Sequence, residues 1–101
     1  MDGFSLETPE QVSKKLAARA KALRLARGWK QVTLAERSGV SLASLRRFED
    51  SGRISLESLL DLAFALNRLD DFDALLQPPL ASSIAELERA ERRPARKRGR
   101  V

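Results

Sequence analysis

The hydrophobic residues that follow position 11 recur every three or four residues, which is the period of one face of an α-helix. They are Val12, Leu16, Ala20 and Leu23. Just before them, Thr8 suits an N-cap, Pro9 suits the first helical position and Gln11 completes a capping box. Gly28 ends the pattern, because glycine adopts the positive φ of a helix stop at little cost. The pattern predicts a first helix over residues 9–27.

Two shorter helices are predicted over residues 31–38 and 42–50. In the first of them Leu34 and Ala35 face inward. Gly39 permits a tight turn, and the residue after it, Val40, is placed to enter the core between the two helices. Ser41 is a suitable N-cap for the second. Its predicted buried pair is Leu45 and Phe48.

A fourth helix is predicted over residues 56–66, after an N-cap at Ser55. Its wide apolar face consists of Leu56, Leu59, Leu60, Leu62, Ala63 and Leu66, and Asn67 is a suitable left-handed stop. A short fifth helix is predicted to begin at Asp70 or Asp71 and to carry Phe72, Leu75 and Leu76. No segment alternates as a strand does, so the pattern predicts an all-α, five-helix bundle.

Pro78 and Pro79 mark the end of this bundle, which gives a predicted domain over residues 1–77. Residues 78–91 are predicted to form a linker with a short helix that starts near Ser83. Residues 92–101 hold six basic side chains, no acidic one and little apolar surface. A segment of that composition cannot bury enough apolar surface to fold alone, so we predict a disordered Arg/Lys-rich tail.

The composition excludes several kinds of function. The 101 residues include no His, Cys or Tyr, which removes the commonest acid–base, nucleophilic and metal-ligating groups. We therefore expect no enzyme activity, no catalytic residues, no metal and no cofactor. The N-terminal residues lack the pattern of a signal peptide, no stretch is apolar enough to span a membrane, and the absence of cysteine fits a reducing compartment. We expect a cytoplasmic protein.

Charge is distributed unevenly along the chain, whose formal net charge is +5. Residues 12–47 carry ten basic side chains and one acidic side chain, whereas residues 48–80 carry seven acidic and two basic ones. A basic surface of this kind can bind a polyanion, although charged runs are also common on ordinary solvated helices.

The two short helices around Gly39 suggest what the basic surface binds. Two helices that cross steeply at a tight turn form a helix-turn-helix, which places its second helix in the major groove of DNA. With Leu45 and Phe48 turned inward, the opposite side of that helix presents five residues, which are Leu42, Ala43, Arg46, Arg47 and Asp50. Arginine can bond guanine in bidentate fashion, and an apolar side chain can touch the thymine methyl group.

The stretch "GWKQVTLAERSGVSLASLRRFEDSGRISLESLLDLAFAL" resembles the Xre family of helix-turn-helix regulators, which is related to phage repressors and Cro. Within that family, "GWKQ" and "RRFED" are most similar to HipB-type antitoxins. The resemblance covers residues 9–76 and implies a repressor-like bundle. It also implies a homodimer that binds a palindromic operator in double-stranded DNA and represses transcription.

The resemblance also implies roles for particular residues. Gln31 corresponds to a phosphate contact, and Ser41, Leu42 and Ala43 correspond to the start of the recognition helix. Lys30 stands where the family usually has a Ser or Thr cap, so that cap is weaker, but its ammonium group can reach a phosphate. Because Leu42 and Ala43 replace residues that are often polar, we expect Arg47 to read a base and Arg46 to bind a phosphate. Arg53 is a further candidate for a phosphate contact.

Other residues have structural interpretations. We expect Trp29 to pack over the core and Glu49 to form an internal hydrogen bond or ion pair. The basic tail, residues 92–101, has three open alternatives, which are contact with DNA phosphates, contact with a protein, and insertion into the minor groove through Arg98-Gly99-Arg100, which resembles the centre of an AT-hook.

Two principal functions remain open from the sequence. The first is an autoregulatory repressor located at the bacterial nucleoid. The second is an antitoxin whose main role is to bind and neutralise a HipA-like toxin kinase, with DNA binding secondary. A sequence-neutral DNA-coating protein is disfavoured, because most of the positive charge of residues 1–80 lies on one face.

Overall fold

The computed structural model describes residues 7–92, and the chain divides into two compact units, the first ending at Asp71 and the second beginning at Phe72. The first unit contains α1 (Pro9–Ala26), α2 (Gln31–Ser38), α3 (Leu42–Ser51) and α4 (Leu56–Ala65), and the second contains α5 (Leu80–Arg92). A short 3₁₀ helix spans Leu69–Phe72. The described residues contain no strand, which confirms the predicted all-α fold, although the fifth α-helix is not the one predicted.

Side-chain caps begin three of the four helices of the first unit. The hydroxyl group of Thr8 accepts from the backbone N–H of Gln11 at 3.1 Å, and the Gln11 side chain accepts from the backbone N–H of Thr8 at 2.9 Å. Ser41 and Ser55 each accept a backbone N–H three residues later, at 3.1 Å. The predicted capping box and both serine caps are confirmed. Lys30, before α2, makes no side-chain cap hydrogen bond, as its residue type predicts.

The buried hydrophobic residues come from all four helices of the first unit and from the turn after α2. They are Ala17, Ala20, Leu34, Ala35, Val40, Leu45, Phe48, Leu62, Ala63 and Leu66. This confirms the predicted inward positions in α2, the turn and α3. In α4 the prediction was wrong for Leu56, which is 65% exposed. Leu56 lies in the first turn of α4, two turns before the buried Ala63, and its side chain remains largely in solvent.

The short α-helix predicted from Asp70 or Asp71 does not form. The chain forms the 3₁₀ helix and then two turns, each closed by a hydrogen bond across three residues. In these turns the N–H of Leu75 donates to the carbonyl of Phe72 at 3.2 Å, and the N–H of Gln77 donates to the carbonyl of Ala74 at 3.3 Å. Pro78 restricts the residue before it to extended backbone, which leaves too few residues to repay the cost of starting an α-helix.

The fifth α-helix lies further along the chain, in the segment predicted to be a linker. It begins at Leu80, three residues before the predicted start, and reaches Arg92. Leu80, Ile84 and Leu87 recur at helical spacing in α5 and are 77%, 48% and 65% exposed. The tail predicted to be disordered, residues 92–101, lies outside the described residues except for Arg92, which ends α5. Among the described residues, no helix has the length and apolar content needed to cross a membrane.

Gly52 lies where the turn between α3 and α4 approaches α1. It has a φ of +84°, and a Cβ atom at this position would lie 3.0 Å from the backbone nitrogen of Lys14 and 3.0 Å from the carbonyl carbon of Ser13. Gly39 ends α2 with a similar φ of +79°, but a Cβ atom there would meet nothing within 4 Å. The two glycines therefore share the same backbone requirement, and only Gly52 also requires space.

We predict that Gly52→Ala destabilises the protein more than Gly39→Ala. Each substitution forces a side chain into left-handed backbone, which costs about 1–2 kcal/mol. Gly52→Ala adds a steric overlap with the α1 backbone that costs about 1–3 kcal/mol more. Urea denaturation of the two variants measures the difference. Equal losses of stability would show that the turn can move away from α1 freely.

Candidate nucleic-acid interface

The recognition helix α3 has one buried side and one exposed side, as predicted. Leu45 and Phe48 are 0% and 1% exposed, whereas Ala43, Arg46 and Arg47 are all exposed. Leu42 does not join them, because it is half-buried and packs against the hydrophobic core. The expectation that Leu42 lies on the outward side is therefore wrong. Packing an apolar leucine side chain against the core is more favourable than leaving it in water.

The first residue of α2 connects two residues of α3. The amide Nε2 of Gln31 donates to Oε1 of Glu49 at 2.9 Å, and its Oε1 accepts from Nε of Arg46 at 3.4 Å. Gln31 is half-buried, and the neighbouring Lys30 is exposed. The bond to Gln31 holds the exposed Arg46 side chain toward the N-terminus of α2, where partial positive charge favours an anion.

Beneath this surface, Arg24 of α1 and Glu49 of α3 form a bidentate ion pair. Nε of Arg24 donates to Oε2 of Glu49 at 2.7 Å, and Nη2 donates to Oε1 at 2.9 Å. Nη1 of Arg24 donates to the backbone carbonyl of Trp29 at 2.8 Å. The Arg24 and Glu49 side chains are 7% and 4% exposed, so the pair is almost dry. It ties α1, the turn before α2, and α3 together and confirms the expected internal role of Glu49.

The surroundings of Glu49 act on its pKa in opposite directions. Burial raises the pKa, whereas hydrogen bonds from Arg24 and Gln31 and the positive charges of Arg24 and Lys21 lower it. The net result is a pKa below the ordinary value of 4.5. The carboxylate is therefore ionised in the folded protein under neutral conditions, as the buried guanidinium group of Arg24 requires.

Arg47 lies on the other side of the α3 surface from the Gln31 bond. Together with Arg53 it lines an open cavity of about 350 Å³ near the start of α4. The remaining lining residues are Ser44, Ile54, Ser55 and Ser58. Both arginines are exposed, and neither side chain has a hydrogen bond or ion pair within the described part of the chain. The cavity thus combines two uncompensated positive charges with hydroxyl groups, which suits an anionic group.

The N-cap serine of α3 is engaged within the protein. The Ser41 hydroxyl donates to the Ser44 hydroxyl at 2.9 Å and also accepts the capping bond from the Ser44 backbone N–H. Trp29 is half-buried against the core, as expected. The guanidinium carbons of Arg27 and Arg37 lie 5.0 and 4.6 Å from the centre of its ring. These two arginines stack on the indole, a favourable cation–π arrangement.

The structural role of Arg24 was missed in the sequence, where it was counted with the basic surface. A signal was present, because Arg24 falls seven residues after Ala17 and four after Ala20, on the face of α1 that is buried. A charged residue in such a register implies a buried partner of opposite charge. Glu49 is that partner, but no spacing rule links two residues so far apart in the chain.

We predict that Glu49→Gln lowers the free energy of unfolding by about 3 kcal/mol at neutral pH, because the buried Arg24 charge loses its counterion. The folded-state pKa of Glu49 is lowered, so its contribution to stability is complete above 4.5 and is lost as the pH falls through the folded-state value. The stability difference between wild type and variant should therefore shrink in acid. Urea denaturation of both proteins between pH 2.5 and pH 7, at steps of about half a pH unit, measures this difference in the free energy of unfolding.

The control for this experiment is Asp71→Asn, which breaks the exposed pair between Arg68 and Asp71, whose side chains are 48% and 52% exposed. Exposed pairs contribute less than about 1 kcal/mol, so this variant should differ little from wild type. A Glu49→Gln deficit that stays constant down to the most acidic condition would contradict the assignment of the acid-sensitive stability to Glu49.

Comparison with known proteins agrees with this geometry. No curated protein matches the chain. The family profile described as Helix-turn-helix matches residues 21–72, just over half of the 101 residues. The match spans α2, the glycine turn, α3 and α4. The chain belongs to the Xre/Cro-like helix-turn-helix family and is a DNA-binding transcription regulator.

Proposed function

We propose that the protein is an autoregulatory repressor that binds a palindromic operator as a homodimer, with α3 in the major groove. The observation that carries this proposal is the outward side of α3, where Ala43, Arg46 and Arg47 are exposed opposite the buried Leu45 and Phe48. An α-helix with such a face fits the width of the major groove. Repression of its own operon follows the resemblance to HipB-type antitoxins, and the site of action is the nucleoid in the cytoplasm.

The two arginines of α3 have different roles in this proposal. Arg46 is bonded to Gln31 at the N-terminus of α2, which favours contact with a backbone phosphate. Arg47 has no bond of this kind within the described residues and is free to reach a base edge. A guanidinium group can bond both O6 and N7 of guanine, so Arg47 is the better candidate for base recognition.

Phosphate contacts on both sides of α3 position the helix in the groove. Lys30 and Gln31 provide them at the start of α2, and Arg53 provides one beside the cavity near α4. Ser41 and Leu42 have supporting roles, because the serine caps α3 and the leucine packs against the core. Contacts to the DNA backbone fix register and affinity, whereas base contacts give sequence preference.

The second unit provides the apolar surface for the proposed homodimer. Leu75 and Leu76 are 59% and 94% exposed, and the stripe of α5 adds Leu80, Ile84 and Leu87. Phe72 is half-buried in this unit. Exposed apolar side chains of this size are typical of an interface, and a dimer presents two recognition helices to two half-sites about one DNA turn apart.

The alternative function is that of an antitoxin that binds a HipA-like toxin kinase. The observation that favours it is the acidic surface of the first unit after α3, where Glu57, Asp61 and Asp70 are exposed and have no ion pair within the described residues. This surface is negatively charged, whereas the proposed DNA-binding side is positively charged, so it can bind a basic partner. Co-purification of a kinase from the native host, insensitive to DNase treatment, is the result that would support it.

The DNA-binding proposal is tested by selection from a random duplex library. We predict a palindromic consensus for the wild-type protein. Arg47→Ala should lose about 1–3 kcal/mol of affinity for that sequence and lose preference at one base pair in each half-site. Arg46→Ala should weaken binding to all sequences about equally. It should also reduce the slope of log K against log salt by roughly the contribution of one phosphate contact.

A charge-matched control is Arg19→Ala, which removes an exposed positive charge from the side of α1 opposite Ala17 and Ala20. It should retain the wild-type affinity and consensus. Recovery of no consensus by the wild-type protein would overturn the proposed function. A changed profile in Arg46→Ala alone would mean that α3 is rotated by about 100° from the proposed orientation, the step of one helical residue.

We predict that the protein sediments as a dimer at micromolar concentration and that Leu76→Asp or Ile84→Asp shifts it to monomer, because each places a charge in the apolar interface. Leu25→Asp is the control, since Leu25 is a leucine of α1 with a similar exposure of 56%. A wild-type protein that stays monomeric even on operator DNA would exclude the dimer.

A further inference from the structure

Among the outward residues in the first two turns of α3, two have no side-chain hydrogen bond or core contact within the described residues. Leu42 packs against the core, Ser41 and Ser44 bond to each other, and Arg46 is bonded to Gln31. Ala43 and Arg47 are exposed, and their side chains have no such engagement within the described residues. These contacts favour Ala43 and Arg47 as the base readers, one with a methyl group and the other with a guanidinium group that is wholly unengaged in the described part of the chain, whereas Arg46 shares its Nε with Gln31.

Ala43 and Arg47 are four residues apart and lie on the same face of α3. Four residues advance about 6 Å along an α-helix. Successive base pairs are separated by about 3.4 Å, so this distance corresponds to about two base-pair steps when the helix follows the groove. The two side chains therefore meet different base pairs, which are neither adjacent nor a half turn apart.

The lengths of the two side chains fit their places on the helix. In a recognition helix the N-terminal residues approach the base edges most closely. Ala43 lies in the first turn, where a short side chain can touch a base. Arg47 lies one turn later, where the longer side chain spans the greater distance. The methyl group of alanine matches the thymine methyl, and the guanidinium group matches the O6 and N7 acceptors of guanine.

We infer that each operator half-site contains a thymine and a guanine two base-pair steps apart, with the thymine methyl against Ala43 and the guanine edge bonded by Arg47. This inference rests on the proposed function and specifies the DNA sequence class that the same surface recognises. The spacing follows from the register of the two residues on α3, and the identity of the bases follows from the chemistry of the two side chains.

The test removes one chemical group at a time from protein and DNA. The DNA is the consensus duplex recovered by selection, with deoxyuridine in place of each thymine in turn, or 7-deazaguanine in place of each guanine. Deoxyuridine lacks only the methyl group, and 7-deazaguanine lacks only the N7 acceptor. Each protein is compared on parent and substituted duplexes, so any change in its folding stability cancels from the ratio of affinities.

At one thymine, the wild-type protein should bind the deoxyuridine duplex about fourfold more weakly, the value for one buried carbon at about 0.8 kcal/mol. Ala43→Gly should show no loss at that position. At the guanine two steps away, 7-deazaguanine should weaken binding of the wild-type protein about tenfold. It should not affect binding of Arg47→Ala, because that variant already lacks the bidentate contact. Arg46→Ala, the control, should keep both sensitivities.

The outcomes separate this inference from the proposed function. A library selection without any consensus would remove the function, and the inference with it. A clear consensus in which no thymine is coupled to Ala43, or in which the two coupled base pairs are adjacent or more than three steps apart, would overturn the inference alone. So would loss of the guanine sensitivity in Arg46→Ala with its retention in Arg47→Ala.

Discussion

The ion pair between Arg24 and Glu49 joins the scaffold of this protein to its candidate DNA-binding surface. The two charges are almost fully buried, and each needs the other because an isolated buried charge is unfavourable. The same carboxylate accepts from Gln31, which holds Arg46. Glu49 of α3 thus bonds both Arg24 of α1 and Gln31 of α2, and it lies between the core and the surface.

Short side chains and glycines let the helices approach closely around this pair. Ala17 and Ala20 occupy the buried face of α1, two turns and one turn before Arg24 respectively. Gly52 brings the turn after α3 against the α1 backbone, where any larger residue would overlap. A long apolar side chain at these positions would push α1 outward and separate Arg24 from Glu49. The small size of the core residues in α1 is therefore as necessary for the geometry as the charges are.

The outward side of α3 can be held in one orientation because its inward side is fixed by contacts with the rest of the first unit. Leu45 and Phe48 hold the helix from below, Leu42 closes the edge of the core, and Arg46 is drawn toward α2. What remains exposed is a small face in which each side chain has a distinct environment. Specific recognition needs such restriction, because a side chain with fewer free conformations loses less entropy when it binds.

Much of the local structure could be predicted from short segments of sequence. The caps at Thr8, Ser41 and Ser55 and the left-handed stops at Gly28 and Asn67 depend on neighbouring residues alone, and all were confirmed. The apolar period predicted the inward sides of α2 and α3 for the same reason. The residues of the candidate interface were also named from the sequence, but their DNA contacts remain a prediction.

Only the tertiary structure decided the features that involve residues far apart in the chain. The sequence determined that Arg24 and Glu49 carry opposite charges, but not that they would meet. Likewise, it determined that Leu42, Leu56 and Phe72 are apolar. Whether each is covered depends on where other elements end, and local patterns carry no information about that. Helical periodicity describes the faces of one helix, whereas burial and pairing are properties of several helices packed together.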